Sequence, residues 1–236
     1  QLRRRCCPSS ADAVMLTDIQ FEQAVAAFVT FFVVIDAVGV APVFASLTAP
    51  GGAKYARKMA IKATFVATLI MFFFAFGGPW LLGHLGISLD AFRVAGGALL
   101  FLIALEMVFE KRQQRQKSRA DQVLAEEEAA GRLDDISVFP IAIPMIAGPG
   151  SIATAMIYMR NAGGDPLDIA IVCAAIFANL VLAGLIFLAA GPLMRLMGDQ
   201  VAGAITRIFG VILSALAVQM MIVGIVGAFG LQVPAG

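Results

Sequence analysis

FPIAIPMIAGPGSIAT, Phe139 to Thr154, decides how this chain is read. It lies in an uncharged apolar run from Ile136 to Met159. A single helix needs ~20 apolar residues to cross a bilayer, and the run is long enough. Yet it contains Pro140, Pro144 and Pro149, and Gly148 and Gly150 flank the last of them. Proline removes a backbone donor and clashes with the preceding turn, while glycine frees the backbone. Broken backbone at membrane depth is tolerated only where it is buried in protein or lines a cavity. The stretch is therefore a candidate functional site as well as a membrane segment.

Composition agrees. Hydrophobic residues make up 60% of the 236 and charged ones only 14%, against roughly 25% in soluble domains. Mean hydropathy is +0.90. This is the signature of an all-α polytopic membrane protein. Cys6, Cys7 and Cys173 show no metal-binding or disulfide spacing. His84 is the sole histidine, and neither an HExxH nor a Walker motif occurs. No enzyme, no cofactor and no nucleic-acid partner is expected.

Six spans fit the hydropathy. Residues 1–20 read as a disordered polar tail, with Met15 a candidate native start. Residues 21–110 hold three segments: Ala24–Leu47, interrupted at Asp36–Pro42; Ala63–Leu82, ending at Gly78-Pro79-Trp80; and Ala91–Phe109, with Glu106 near its end. Residues 111–135 form a charged linker. Residues 136–230 hold three more segments: the opening stretch, Ile169–Ala190 with Asn179, and a last one from near Gly203. Residues 231–236 are a short tail. The loops after segments one, three and five hold twelve Lys and Arg, among them Arg57, Lys62, Arg115 and Arg195. Positive residues favour the cytoplasmic side, so the linker should face the cytoplasm and both termini the outside.

The halves echo each other. Gly191-Pro192 follows Gly78-Pro79 by 113 positions, and Arg207 follows Arg93 by 114. Gly97 precedes Glu106 by nine positions, as Gly210 precedes Gln219. Gly39 falls against Gly150, 111 positions later. Three spans per half force the second half to enter from the opposite side, so the expected fold is two inverted three-helix repeats with broken first and fourth helices. Gly/Pro-interrupted segments at matching places in such halves point to a transporter's binding site.

The candidate substrate-binding residues follow from these breaks. Asp36 is the only acid between Glu22 and Asp90. Inside a membrane it should face protein or water, as a proton carrier, a partner for an ammonium group, or a cap of the broken helix. Gly39 and Pro42 shape that break. Gly148, Pro149, Gly150 and Ser151 would open a half-helix whose free N–H groups can hold an anion. Thr154 and Asn179 add polar contacts. Glu106 reads as a carboxylate snorkelling to the interface, and Arg93 and Arg207 as interfacial anchors.

AIPMIAGPGSI in the fourth segment and DAVGVAPVF in the first, with the span count and charged central linker, resemble the MarC-related membrane proteins. The likeness runs from Phe21 to Val226. Ala37 and Val40 stand where that family usually has proline and asparagine. The resemblance implies a multi-pass protein of the bacterial inner membrane and a secondary transporter of small neutral amino acids such as glycine or alanine. Ion coupling goes with that resemblance, with proton and sodium both open as the ion; the oligomeric state, a homo-oligomer included, is open. A passive channel, or a scaffold that binds a partner through the linker, are the rival expectations.

Overall fold

The computed structural model describes residues 10–109, several linker positions between 111 and 125, and residues 135–230. The described chain is all helical, without a strand. Residues 1–9, most of the linker and the tail 231–236 lie outside it, so the expectations for those tails and for the linker as a whole rest on sequence. The linker positions that are described, from Lys111 to Ala125, are helical.

Helix α1 spans Ser10–Ile35 and α2 Ala37–Thr48. The expected break falls at Asp36. Helix α1 starts ahead of the expected boundary, because Ala, Met, Leu, Gln and Glu dominate residues 11–24 and are strong helix formers. A three-residue turn, Ala49–Gly51, leads to α3, Gly52–His84. The basic stretch expected as a loop is thus the first turns of α3, and Pro79 lies inside the helix rather than at its end. Helix α4 spans Leu89–Val108, started by the Ser88 side chain, which accepts the Ala91 N–H.

The second half opens on Ser137–Ile146, a widened segment with π-type bonds such as Ala147 N–H to Ala142 C=O at 2.9 Å. Phe139 and Ile143 are extended within it, and the peptide bonds that follow them, to Pro140 and Pro144, are cis. Both residues precede proline, which pushes the preceding residue out of helical geometry. Helix α5 spans Pro149–Asn161, bent 58° from the widened segment. Helix α6 spans Pro166–Leu188 and α7 Ala190–Ala228, kinked at Gly198 where φ is 68°.

Helices α4 and α6 and the Gln200–Ala228 part of α7 are each long and apolar enough to cross a bilayer, as is the 65-residue helical run Gln20–His84. The bent pair Ser137–Ile146 and Pro149–Asn161 adds a fifth candidate. Six were expected. The difference lies in Gln20–His84, where only Asp36 and a three-residue turn interrupt the helices.

Helix α3 displays how these helices pack. Ala60, Ala63, Ala67, Met71 and Ala75 are buried, while Phe65, Leu69, Phe73, Phe76 and Trp80 are exposed along the other face. Small residues let helix backbones approach, and large apolar ones meet lipid. Among the described residues, helices α4 and α7 make the most extensive pairing. They enclose, with α1, a core of Val33, Val34, Leu100, Ala104, Met107, Leu213 and Ala217. Helix α1 is tied to α6 by the Asn179 side chain, which donates to the Phe28 carbonyl at 3.1 Å. It is tied to α5 by the Thr30 and Tyr158 hydroxyls, 3.0 Å apart.

Candidate functional site

The Gly148–Ser151 turn caps α5 without a side-chain cap. Pro149 occupies the first helical position, where its missing N–H costs nothing. The first intrahelical bond is Ile152 N–H to Gly148 C=O at 3.0 Å. The amides of Gly150 and Ser151 precede it, and such first-turn amides have no partner within a helix. Glycine is demanded here by close approach. A methyl on Gly148 would sit 2.8 Å from the Pro144 carbonyl oxygen, and one on Gly150 2.8 Å from Ile103 Cδ1 and 3.0 Å from Leu100 Cδ2.

A cavity of about 270 Å³ opens at this turn. Gly148, Pro149, Gly150 and Ser151 form one wall. Leu99, Leu102 and Ile103 of α4 form another, and Val34 of α1 closes it. Glu106 and Arg115 also line it, joined by an ion pair of 2.6 Å. Glu106, expected as a carboxylate snorkelling to the interface, lies near the end of α4 and is paired with a largely exposed arginine. It faces the same cavity as the helix start, and Arg115 brings the linker to it. No spacing in the sequence links Glu106 to Gly148, since they meet only through the packing of α4 on α5.

The expected residues divide into three places. Gly148, Pro149, Gly150 and Ser151 share the cavity just described. The Ser151 hydroxyl donates to Ile146 C=O at 2.9 Å, and that of Thr154, fully buried, to Gly150 C=O at 2.8 Å. Both protons are thus spent on the backbone, and Thr154 lies behind the cavity wall rather than in it. Asn179 is buried on α6 and serves to join helices. Pro42 is half-buried inside α2.

Asp36 and Gly39 form the third place. Asp36 is only 2% exposed and left-handed, with φ 49°. Its Oδ1 accepts the Gly39 N–H at 3.2 Å, so it caps α2 as an N-cap carboxylate should. A methyl on Gly39 would sit 2.3 Å from Asp36 Oδ2 and 2.5 Å from Thr206 Oγ1 of α7. Thr206 is 2% exposed, and its hydroxyl has no hydrogen-bond partner. This residue was missed in the sequence, where its neighbour Arg207 drew the eye. A signal was present: 206, 210, 213 and 217 recur at helical spacing, and that stripe of α7 is buried.

The charges at the helix ends sit apart from these places. Lys62 is paired with Asp135 at 2.5 Å. The Lys62 hydrogen bond, followed by that of the Ser137 hydroxyl, holds the Asp135 carboxyl at about 2 instead of 3.8. Arg93 bonds Asp90 at 2.9 Å and the Asn161 side chain, so it ties α4 to the end of α5.

An all-helical chain of apolar spans, with a break that opens a small polar-ended cavity, defines an integral membrane protein. The pattern of the MarC family of integral membrane proteins matches residues 21–229, and the chain belongs to that family. It is 39% identical over 211 residues to the UPF0056 membrane protein MJ1677 of Methanocaldococcus jannaschii, covering 89% of this chain and 98% of that protein. It is 35% identical to a UPF0056 membrane protein of Aquifex aeolicus, covering 85% and 91%. It is 34% identical to UPF0056 membrane protein YhcE of Escherichia coli, covering 86% and 91%. No solved structure matches.

Proposed function

We propose that this protein is a secondary transporter of small neutral amino acids in the plasma membrane. The observation that carries this is the cavity at the Gly148–Ser151 turn. The first amides of α5 lie at one side, and Glu106 supplies a carboxylate in the same lining. Donor amides at a helix start suit a substrate carboxylate, and a side-chain carboxylate suits its ammonium. The small volume and apolar walls of Leu99, Leu102 and Ile103 favour a substrate with little or no side chain. Glu106 takes the ammonium-binding part first considered for Asp36, which does not line this cavity. Arg115, two-thirds exposed, is the partner that substrate displaces.

Six spans in two inverted repeats complete the proposal, with the linker cytoplasmic. Its support is a reciprocal contact between α4 and α7. Gly97 abuts the Ala217 carbonyl, and Gly210 abuts the Ala104 carbonyl. Both pairs of equivalents, Gly97 with Gly210 and Ala104 with Ala217, are 113 positions apart. A two-fold relation generates contacts of this kind, with i on j and j on i. The test is uptake of labelled glycine and alanine into proteoliposomes with an imposed proton or sodium gradient. Saturable, competitive uptake is expected; a flux that rises linearly with concentration would make the protein a pore.

A further inference from the structure

We propose that the cavity between the α2–α3 junction and the α6–α7 junction binds the headgroup phosphate of one anionic phospholipid. The cavity has a volume of about 780 Å³, against about 270 Å³ at the α5 start, and shares no lining residue with it. Its room comes from two helix junctions that carry small residues. Ala49, Gly52 and Ala53 lie on one side, and Ala190 and Gly191 on the other. Its inner wall is Phe44 of α2 and Phe187 of α6, both buried, with their rings stacked at a centroid distance of 4.9 Å.

Two guanidinium groups line the same cavity, Arg57 from the first turns of α3 and Arg195 from those of α7. They belong to opposite halves of the chain, and the packing of α2 and α3 against α6 brings them together. No acidic residue is in the lining. Among the described residues neither arginine has an ion-pair partner, whereas Lys62, Arg93 and Arg115 each have one. Residues 37–89 contain no acid at all. The acid nearest to Arg195 in sequence, Asp199, lies past the kink at Gly198, where φ is 68°. Lys54 and Lys58 stand within one helical turn of Arg57 and add to the positive potential.

Charge and apolarity together select the occupant. A guanidinium fork matches phosphate oxygens, and its weak hydration suits a site at the membrane edge. A free anion would use the arginines but leave the phenyl wall against water. A phospholipid satisfies both, with its phosphate at Arg57 and Arg195 and its upper acyl chain over Leu188, Phe44 and Phe187. Basic pockets between membrane helices hold anionic headgroups in this way. A zwitterionic headgroup brings its own cation, which the arginines repel. Lys62, five positions after Arg57, pairs with Asp135 at the end of the linker, so the cavity opens in the leaflet on the linker's side. The site depends on the membrane setting of the chain and not on the transporter reading.

The experiment is thermal unfolding of the purified full chain in detergent, with phosphatidylglycerol, phosphatidylcholine or inorganic phosphate added at equal concentration and ionic strength. A ligand that binds only the folded state raises the melting temperature with its concentration. Phosphatidylglycerol is expected to raise it by several degrees, and phosphatidylcholine and phosphate by far less. The double variant Arg57→Gln, Arg195→Gln should melt as the wild type does without lipid, since both side chains are exposed, and lose most of the shift. Ala53→Phe keeps both arginines and fills the cavity from an exposed position, so it should lose the shift as well. Arg160→Gln, exposed and outside the cavity, should keep it. Equal shifts with the two lipids, or a full shift in the double arginine variant, would overturn the site. So would a full shift in Ala53→Phe, which would place the lipid on the basic surface and not in the cavity. A shift with inorganic phosphate as large as that with phosphatidylglycerol would overturn the lipid as occupant.

Discussion

Gly97 of α4 lies so close to Ala217 of α7 that a methyl on it would sit 2.8 Å from the Ala217 carbonyl oxygen. The same approach recurs between Gly210 and Ala104, at 3.0 Å. In both cases a side chain is nearer still, Met221 Cγ at 2.7 Å from such a methyl on Gly97 and Met107 Cβ at 2.9 Å from one on Gly210, but moving it would leave the backbone carbonyl in the way. Gly97→Val and Gly210→Val should each cost about 1–3 kcal/mol, the usual range for overpacking. Gly77, with nothing within 4 Å, supplies the control. Gly77→Ala should not lower the unfolding temperature, since alanine is the better helix former and meets open space. If Gly97→Val melts like wild type, the α4–α7 packing described here is incorrect.

Glu106 lines the cavity and is paired with Arg115, which is largely exposed. An exposed ion pair contributes only about 0–1 kcal/mol. Glu106→Gln should therefore fold with little loss of stability. Its half-saturation concentration for glycine should rise about tenfold, a loss of about 1.4 kcal/mol in binding. Arg115→Gln should lower it or leave it unchanged, since it removes a competitor for the carboxylate. Concentration-dependent uptake by the two variants checks this.

The Asp135 carboxyl is held near 2 by Lys62 and Ser137. Its folded value lies below the ordinary 3.8, so its contribution is present above 3.8 and disappears as the pH falls toward about 2. Wild type should be slightly more stable than Asp135→Asn at pH 6, and the two should converge near pH 2. Because both partners are about half exposed, the gap should be small and shrink in high salt. Unfolding temperatures across that pH range measure it.

Asn179 is buried and donates to Phe28 C=O on α1 and to Ala175 C=O on its own helix, while its Oδ1 has no partner. Interhelical bonds of this type in membranes average about 0.6 kcal/mol. Asn179→Leu should therefore cost little, because it also removes the unpartnered oxygen. Asn179→Ala should cost more, through the space it leaves. A reversed order in thermal unfolding would mean that Asn179 has a polar partner of consequence.

Much of the fold was legible because the sequence marks its own breaks. Asp36, and the glycines and prolines of residues 140–150, dictate where helices stop, and the structure breaks them there. The matched glycines at 97 and 210 were visible as a spacing, although not as a contact. The site was only half legible. The α5 start could be read from Gly148-Pro149-Gly150-Ser151, because a helix terminus is a local property. Glu106 could not be joined to it, since that pairing depends on how α4 lies against α5. Thr206 escaped for the same reason. Helix ends shifted wherever propensity outran hydropathy, as at Lys54–Lys62, where charged residues extend α3 beyond its apolar part.

The central claim is that the cavity at the α5 start holds the substrate, and equilibrium binding of labelled glycine to purified protein tests it most directly. Wild type should bind saturably, with unlabelled alanine competing. Gly150→Leu should place its side chain against Ile103 and Leu100 and block the cavity. That variant, provided its unfolding curve stays cooperative, should bind no glycine. Undiminished binding by folded Gly150→Leu would contradict the account.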